Sequence, residues 1–179
     1  MVERVIVAGF GGQGVIFLGK LLAQAAMEQG KNVTYFPAYG PEVRGGRANC
    51  HVIVSTEEIF SPVVARPNSL LVMNQPSWDY FSPRLDGDGL AVVNSSMVKV
   101  PALEGSRRLL LVPATEIATA LGEVRAANMV MLGAYNRVRD LLPLEALLES
   151  LRLVLGERKA GLYEVNARAL RKGAELAED

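Results

Sequence analysis

The sequence has few of the residues that bind metals, form disulfides or act as nucleophiles. Among its 179 residues there is one cysteine, Cys50, and one histidine, His51. A single cysteine excludes both an intrachain disulfide and a four-thiolate cluster. Neighbours on a predicted strand point to opposite faces, so Cys50 and His51 should not form a catalytic pair. We expect a buried Cys50, no catalytic residue and no metal site.

Net charge and long hydrophobic runs are also missing. Lysine plus arginine and aspartate plus glutamate number 19 each, so nothing favours binding to nucleic acid or acidic membranes. No run approaches the roughly 20 apolar residues of a membrane span. No basic segment precedes the first apolar run, so we see no signal peptide and expect a cytoplasmic protein. Half of the residues are hydrophobic, and such a balanced chain tends to associate, which favours a subunit role.

What the chain does contain is a glycine-rich turn near its start. The apolar run Val5–Ala8 leads into Gly9-Phe10-Gly11-Gly12-Gln13-Gly14, and an amphipathic stretch begins at Val15. This order predicts a strand, a tight turn and a helix N-terminus. Gly9, Gly11 and Gly14 match the G-x-G-x-x-G spacing, in which glycines permit a turn and a close approach of backbone to ligand. The first amides of the helix would favour an anion.

Two cofactor motifs are incomplete. A dinucleotide site would need an acidic residue at the end of the second strand, but the predicted strand Val33–Phe36 ends at Pro37 without one. Gly87-Asp88-Gly89 resembles the start of a thiamine-diphosphate motif, yet Pro113–Leu121, where its asparagine would fall, contains none. We therefore predict a polar turn at Asp86–Gly89 and no thiamine diphosphate held by this chain alone.

The remaining pattern predicts one α/β domain over residues 1–179, a three-layer α/β/α Rossmann-like fold with a mostly parallel sheet. Further strands are expected at Cys50–Val54, Leu70–Met73, Leu90–Val93 and Leu109–Val112, and helices at Pro76–Phe81, Ala114–Leu121, Ala126–Leu142, Leu144–Leu155 and Ala167–Leu176. Val33–Phe36 should complete a right-handed β–α–β unit. Cys50–Val54 follows a loop and not a helix, which allows an antiparallel place in a mixed sheet. The C-terminal helix should be solvated.

Two segments stand out as candidates for contacts. The loop Pro37–Asn49 contains Arg44 before two glycines, and an arginine can form bidentate bonds to carboxylate or phosphate. The alternative is a surface turn with a solvated Arg44. The segment Ala126–Ala134 is apolar almost all round, so it should be buried in the core or against a partner. Its Asn128 is either a buried polar anchor or a contact residue.

The order and composition of these motifs resemble a known family. The similar segments are Gly9–Val15, Tyr39–Gly46, Ser61-Pro62, Asn68–Asn74 and Asn128–Ala134. Together they are similar to the gamma subunit of 2-oxoacid:ferredoxin oxidoreductases over nearly the whole chain, and Tyr39–Gly46 is the most specific element. The chain departs from the family at Arg47-Ala48-Asn49, where a small hydroxyl residue is common, and at Asn68, where aspartate is common. Both departures concern details.

The resemblance implies a subunit that is inactive alone. In this family the alpha and beta subunits, or their fused counterparts, hold thiamine diphosphate with magnesium, the 2-oxoacid and the main iron–sulfur cluster. The complex converts a 2-oxoacid, coenzyme A and oxidised ferredoxin into an acyl-CoA, carbon dioxide and reduced ferredoxin. The expected partners are alpha and beta subunits, with a ferredoxin-like delta subunit as a further candidate and ferredoxin as an indirect one. The isolated chain could form a homodimer. Its length favours a 2-oxoglutarate or general 2-oxoacid enzyme.

We expect the glycine turn and the loop to lie together at a subunit junction. The candidate cofactor-binding or subunit-contact residues are Gly9, Gly11, Gly12, Gln13, Gly14, Tyr39, Gly40, Pro41, Glu42, Arg44, Gly45, Gly46 and Asn128. The turn amides and Arg44 would face carboxylates of a neighbouring subunit or phosphates of coenzyme A, and we favour the subunit contact. The rival hypotheses are a free-standing nucleotide-binding protein and a scaffold subunit without a ligand.

Overall fold

A computed structural model of the chain describes residues 1–38, 48–100 and 106–176. The strands are β1 (Val2–Gly9), β2 (Asn32–Ala38), β3 (Ala48–Ser55), β4 (Ser69–Val72), β5 (Leu90–Asn94) and β6 (Arg108–Val112). The α-helices are α1 (Val15–Glu28), α2 (Gln75–Phe81), α3 (Ala114–Ala120), α4 (Ala127–Arg139), α5 (Leu144–Leu155) and α6 (Tyr163–Leu176). Short 3-10 helices cover Ser82–Arg84, Val124–Ala126 and Glu157–Leu162. Among the described residues, no helix is both long and apolar enough to cross a membrane.

The six strands form one mixed sheet in the order β2-β3-β1-β4-β5-β6. β1, β4, β5 and β6 pair in parallel, while β3 is antiparallel to both of its neighbours, β1 and β2. The antiparallel place predicted for Cys50–Val54 is therefore confirmed. The predicted β–α–β unit is present, because β1 and β2 run parallel and are joined through α1, although β3 lies between them in the sheet. The second strand also runs through Pro37 to Ala38, which is tolerated because β2 is an edge strand and need not donate on its outer side.

Helices cover both faces of the sheet, as the predicted three-layer fold requires. The alternation of side chains in β1 sends Val5 and Val7 toward α1, α3, α4, α5 and α6. Ile6 and Ala8 point to the opposite face, where Trp78 of α2 is buried in a second, smaller core. α2 starts where Asn74 Oδ1 accepts a hydrogen bond from Ser77 N at 2.9 Å, an N-cap that follows directly after β4.

Two helix predictions near the C-terminus need correction. The helix predicted over Ala126–Leu142 ends at Arg139, because Asp140 takes a left-handed conformation and Asn136 closes the turn through bonds to the backbone of Leu142. The C-terminal helix begins at Tyr163, earlier than Ala167. That helix is not simply solvated: α4 and α6 cross so closely that a Cβ on Gly133 would lie 2.0 Å from a backbone oxygen of α6.

Candidate functional site

The carboxyl ends of β1, β4, β5 and β6 meet at one edge of the sheet, and the glycine turn lies there after β1. Gly12 and Gly14 have φ angles of 95° and 73°, in the left-handed region that favours glycine. Gly14 is also the N-cap residue of α1, and Leu18 N donates to its carbonyl at 2.9 Å. The predicted strand, turn and helix N-terminus are confirmed, and the helix points its first amides toward this edge.

Gln13 ties the glycine turn to the end of the neighbouring strand. Its Oε1 accepts hydrogen bonds from Phe10 N at 2.6 Å and from Asn74 Nδ2 at 3.4 Å. Its Nε2 donates to the carbonyl of Met73 at 3.2 Å. The Gln13 amide thus fills the gap between the ends of β1 and β4, where the connections leave on opposite faces and a Rossmann fold binds its dinucleotide. This geometry argues against a dinucleotide in that crevice.

Asn128 reaches the same turn from the start of α4. Its Nδ2 donates to the carbonyl of Gly14 at 3.0 Å, although the two residues are 114 positions apart. A Cβ on Gly14 would lie 2.3 Å from Asn128 Nδ2, so the contact needs glycine at that position. Asn128 Oδ1 is buried and has no hydrogen-bond partner among the described residues. Of the two roles predicted for Asn128, the geometry supports an anchor for the turn within this chain.

The other three glycines of the turn differ in what surrounds them: Gly9 is packed against side chains of this chain, whereas Gly11 and Gly12 border open space. A Cβ on Gly9 would lie 2.7 to 2.9 Å from atoms of Gln13, Met73 and Val15, so this glycine permits close packing inside the chain. A Cβ on Gly11 or Gly12 would meet nothing within 4 Å. The turn is therefore packed on its Gly9 side, whereas Gly11 and Gly12 leave room for another molecule to approach the backbone.

A hollow of about 410 Å³ lies against the outer side of the turn, and we call it the Lys20 hollow. It is lined by Phe10, Gly11, Gly12, Gly14, Val15, Ile16, Phe17, Lys20 and Ala48. The walls combine aromatic side chains with the positive end of α1 and the ammonium group of Lys20. No described residue of the lining is acidic. Such a hollow suits an anionic group that carries an apolar part.

The predicted loop residues Tyr39, Gly40, Pro41, Glu42, Arg44, Gly45 and Gly46 lie outside the described residues. Their flanks are placed: Ala38 ends β2 opposite Asn49, and Ala48 starts β3 opposite Gly9. The chain thus leaves and re-enters the described structure at the same edge as the glycine turn. The joint position of Arg44 and the turn remains a prediction.

Cys50 and His51 lie on opposite faces of β3, as predicted. Cys50 is buried with its Sγ donating to the carbonyl of Val15 at 3.4 Å, and burial raises the pKa of the thiol to about 12. His51 Nδ1 accepts from Val64 N at 3.0 Å. Burial lowers the pKa of His51, and the nearby charge of Arg84 lowers it further. These two residues have structural surroundings and do not form a nucleophile–base pair.

The thiamine-diphosphate interpretation of Gly87-Asp88-Gly89 is also unsupported by the geometry. Gly89 N donates to Asp86 O at 3.0 Å, which closes the predicted polar turn before β5. Asp86 pairs with Arg4 at 2.8 Å and Arg66 at 3.3 Å. No group of three or more His, Cys, Asp or Glu side chains with metal-binding geometry is found in the described part of the chain.

Several polar contacts at this edge were missed by the sequence reasoning. Asn94, at the end of β5, donates to Thr115 Oγ1 at 2.8 Å, just as Asn74 at the end of β4 reaches Gln13. The sequence did contain a signal for these two contacts, because Asn74 and Asn94 each directly follow an apolar run that is buried. At the opposite edge, the largely buried Glu3 pairs with Arg139 at 3.1 Å and accepts a hydrogen bond from Ser69. The distance of 136 positions between Glu3 and Arg139 hides this pair from local patterns.

The fold and the turn define an α/β domain of Rossmann type in which Gln13 bridges the ends of β1 and β4. The sequence matches the pyruvate ferredoxin/flavodoxin oxidoreductase family over residues 4–176, and the chain belongs to this family. It is 36% identical over 171 residues to the 2-oxoglutarate synthase subunit KorC of Archaeoglobus fulgidus, covering 95% of this chain and 85% of that one. The crystal structure of the keto/oxoacid ferredoxin oxidoreductase gamma subunit from Geobacter sulfurreducens superposes with a TM-score of 0.84, at 30% identity and 98% coverage of both chains.

Another relative is much longer than this chain. The ketoisovalerate oxidoreductase subunit VorA of Methanothermobacter thermautotrophicus is 40% identical over 177 residues, which are 98% of this chain but 36% of VorA. The chain thus spans about a third of that relative's length. The predicted resemblance to gamma subunits is confirmed by these comparisons, and the domain recurs both as a separate chain and within a longer one.

Proposed function

We propose that this chain is the gamma subunit of a 2-oxoacid:ferredoxin oxidoreductase complex and is inactive alone. In the complex, a 2-oxoacid is oxidatively decarboxylated to carbon dioxide and an acyl-CoA, and two electrons pass to ferredoxin. Relatives whose names specify ketoisovalerate, 2-oxoglutarate and pyruvate all match, so the substrate class is a 2-oxoacid. We propose that the iron–sulfur clusters belong to the partner chains, since this chain has one cysteine and that cysteine is buried. We assign thiamine diphosphate and magnesium to the partner chains as well, because Gly87-Asp88-Gly89 belongs to a polar turn.

The observation that carries this proposal is the asymmetry of the glycine turn. Its inner side is occupied by Gln13 and Asn128 of the same chain. Its outer side faces the Lys20 hollow, and the flanks of the Arg44 loop lie at the same edge. A free-standing dinucleotide enzyme needs the inner crevice open, whereas a docking subunit needs an outer surface. The arrangement therefore favours contact with another molecule over a cofactor held within the fold.

Two occupants of the Lys20 hollow have the right chemistry, namely carboxylates of a partner subunit and phosphates of coenzyme A. Both are anions that the amides of α1, Lys20 and Arg44 could bind. We favour the partner subunit, because a subunit junction requires contacts at this surface whether or not coenzyme A also reaches it. Alpha and beta subunits are the proposed partners.

The test is co-expression of the tagged chain with the chains that hold thiamine diphosphate and iron–sulfur clusters in the same organism. Lys20→Ala and Arg44→Ala should each weaken co-purification of those chains without lowering the melting temperature of the isolated subunit. Lys31→Ala, a change after α1 at the opposite edge of the sheet, is the matched control. An intact complex with only a raised KM for coenzyme A would instead assign the hollow to phosphate.

Calorimetry on the isolated chain tests the rival hypothesis of a free-standing nucleotide-binding protein. Micromolar binding of NAD, NADP or FAD to the isolated chain would contradict the subunit proposal and favour a nucleotide-binding protein. Failure of the wild-type chain to join any complex of thiamine-diphosphate and iron–sulfur chains would contradict it directly.

A further inference from the structure

Three arginines and one aspartate meet at the amino ends of the parallel strands, at the opposite edge of the sheet from the glycine turn. They are Arg4 in β1, Arg66 before β4, Asp86 before β5 and Arg107 before β6, and we call them the Asp86 cluster. From Arg4, β1 runs on to Gly9, a length of about 16 Å. A small anion bound at one of these edges therefore does not reach the other.

All three guanidinium groups bond to the turn that precedes β5. Asp86 Oδ2 accepts a hydrogen bond from Arg4 at 2.8 Å, and Asp86 Oδ1 pairs with Arg66 at 3.3 Å. Arg107 donates instead to main-chain carbonyls, that of Leu85 at 2.9 Å and that of Asp86 at 3.3 Å. The three cations are thus gathered around a single residue, and only two of them contact its carboxylate.

The Asp86 cluster carries more positive charge than the fastening of this turn requires. Three arginines and one aspartate give it a net charge of +2, and Arg107 has no ion pair with a described residue. At the same edge Glu3 is neutralised by Arg139, while the exposed Arg108 and Asp88 offset each other. Neutral donors would serve the two carbonyls equally well. Like charges held this close repel one another unless an anion neutralises them.

The guanidinium groups also keep donors available for a ligand. A guanidinium has more N–H donors than these contacts use, which is one or two on each arginine. The side chain of Arg66 is 74% exposed and that of Arg4 is 40% exposed. Small solutes can therefore reach the cluster without any movement of the fold.

We propose that the Asp86 cluster binds an oxyanion of the phosphate type. One planar guanidinium fork is enough for a carboxylate, whereas three guanidinium groups on separate segments can bond to oxygens in more than one plane, as a tetrahedral anion requires. A phosphate monoester carries a charge of about −1.5 to −2 at pH 7, which balances the excess charge of the cluster. Free phosphate and the phosphate group of a larger molecule share this chemistry.

Calorimetric titration of the full chain with potassium phosphate tests the proposal, with the ionic strength held constant by potassium chloride. Phosphate should bind saturably and sulfate should compete with it, whereas exchange of chloride alone should give no binding signal. A phosphate monoester titrated in the same way separates the two sources. An affinity at least about tenfold above that of phosphate indicates a group on a larger molecule, and an equal or lower affinity indicates free phosphate. Either result supports the site.

Two variants of the cluster should change the affinity in opposite directions. Arg66→Gln removes one cation and leaves Asp86 paired with Arg4, so the fold should survive and the Kd for phosphate should rise at least about tenfold. Asp86→Asn removes the carboxylate that repels the ligand, so the Kd should fall severalfold. Arg171→Gln, at an exposed arginine of α6, is the matched control and should leave the Kd unchanged. Circular dichroism checks that each variant is folded.

Three results would overturn the inference. One is a wild-type chain that gives no saturable signal with phosphate at constant ionic strength. Another is an equal loss of affinity in Arg66→Gln and Arg171→Gln, which would indicate a general effect of net charge. The last is binding that Lys20→Ala abolishes and Arg66→Gln leaves intact, which would assign the phosphate to the Lys20 hollow. Assembly with partner chains enters none of these measurements, so their outcome is independent of the proposed subunit function.

Discussion

The glycine turn makes a quantitative prediction, because three of its glycines differ in what a methyl group would meet. At Gly11 an added Cβ has open space and an ordinary φ. Gly12 also leaves open space for a Cβ, but its backbone φ is 95°. Gly14 has a backbone φ of 73°, and a Cβ there would lie 2.3 Å from Asn128 Nδ2. Alanine substitutions at the three positions should therefore separate backbone strain from the loss of the Asn128 contact.

The expected free energies follow from these differences. Gly11→Ala should change the free energy of unfolding by no more than about 0.5 kcal/mol. Gly12→Ala should cost about 1–2 kcal/mol for a left-handed conformation with a Cβ. Gly14→Ala should cost that strain plus about 1–3 kcal/mol for displacing the buried Asn128 amide from its acceptor. The sum, about 2–5 kcal/mol, corresponds to a melting temperature lower by about 5–15 °C for a domain of this size.

Urea unfolding of the isolated chain, followed by circular dichroism, measures these values. In an Asn128→Ala background the displaced amide is already absent, so Gly14→Ala should then cost only the strain, about 1–2 kcal/mol. Equal effects of Gly12→Ala and Gly14→Ala would refute the reasoning. So would a Gly14→Ala effect that is unchanged when Asn128 is replaced, because the contact would then contribute nothing to stability.

Three further predictions concern the core and the buried polar groups. Gly133→Ala should lower the free energy of unfolding by about 2 kcal/mol or more, because its Cβ would lie 2.0 Å from the carbonyl of Leu170 and force α4 from α6. Arg139→Met should cost about 3–5 kcal/mol in urea unfolding, since it leaves Glu3 buried without its cation. Cys50 should not react with a thiol reagent in the folded chain but should react fully in denaturant. Its raised pKa, about 12, means the folded state keeps a proton that the unfolded thiol releases, so stability should fall by about 1.4 kcal/mol per unit as pH rises from roughly 9 toward 12.

The two substitutions have matched controls, and the labelling of Cys50 has a result that would contradict it. Gly161→Ala meets nothing within 4 Å and should be close to neutral, so an equal loss at positions 133 and 161 would contradict the close crossing. Lys172→Ala removes an exposed ion pair with Glu175 and should cost less than about 1 kcal/mol. Labelling of Cys50 in the native chain, at a rate comparable with a free thiol, would contradict its burial.

Local sequence patterns were sufficient to locate the strands and the start of α1. Alternation and apolar runs located all six strands of the described residues, and the glycine turn located the end of β1 and the start of α1. The loop before β3 allowed an antiparallel strand but could not place it between β1 and β2, because strand order depends on contacts distant in sequence. The end of α4 was misplaced because its determinant is the side chain of Asn136 bonding Leu142, a contact that propensity does not register.

At the candidate site, the sequence did not predict the contacts that Gln13 makes. The missing acid after Phe36 argued against a dinucleotide, but it did not say what occupies the crevice instead. The structure shows Gln13 bonded there to Phe10, Met73 and Asn74, so the residue predicted to face a partner faces the chain's own sheet. A glutamine between two glycines has no local signature of this role, because Met73 and Asn74 lie 60 and 61 positions away. The contact surface therefore has to be sought around the outer glycines, Gly11 and Gly12, which line the Lys20 hollow.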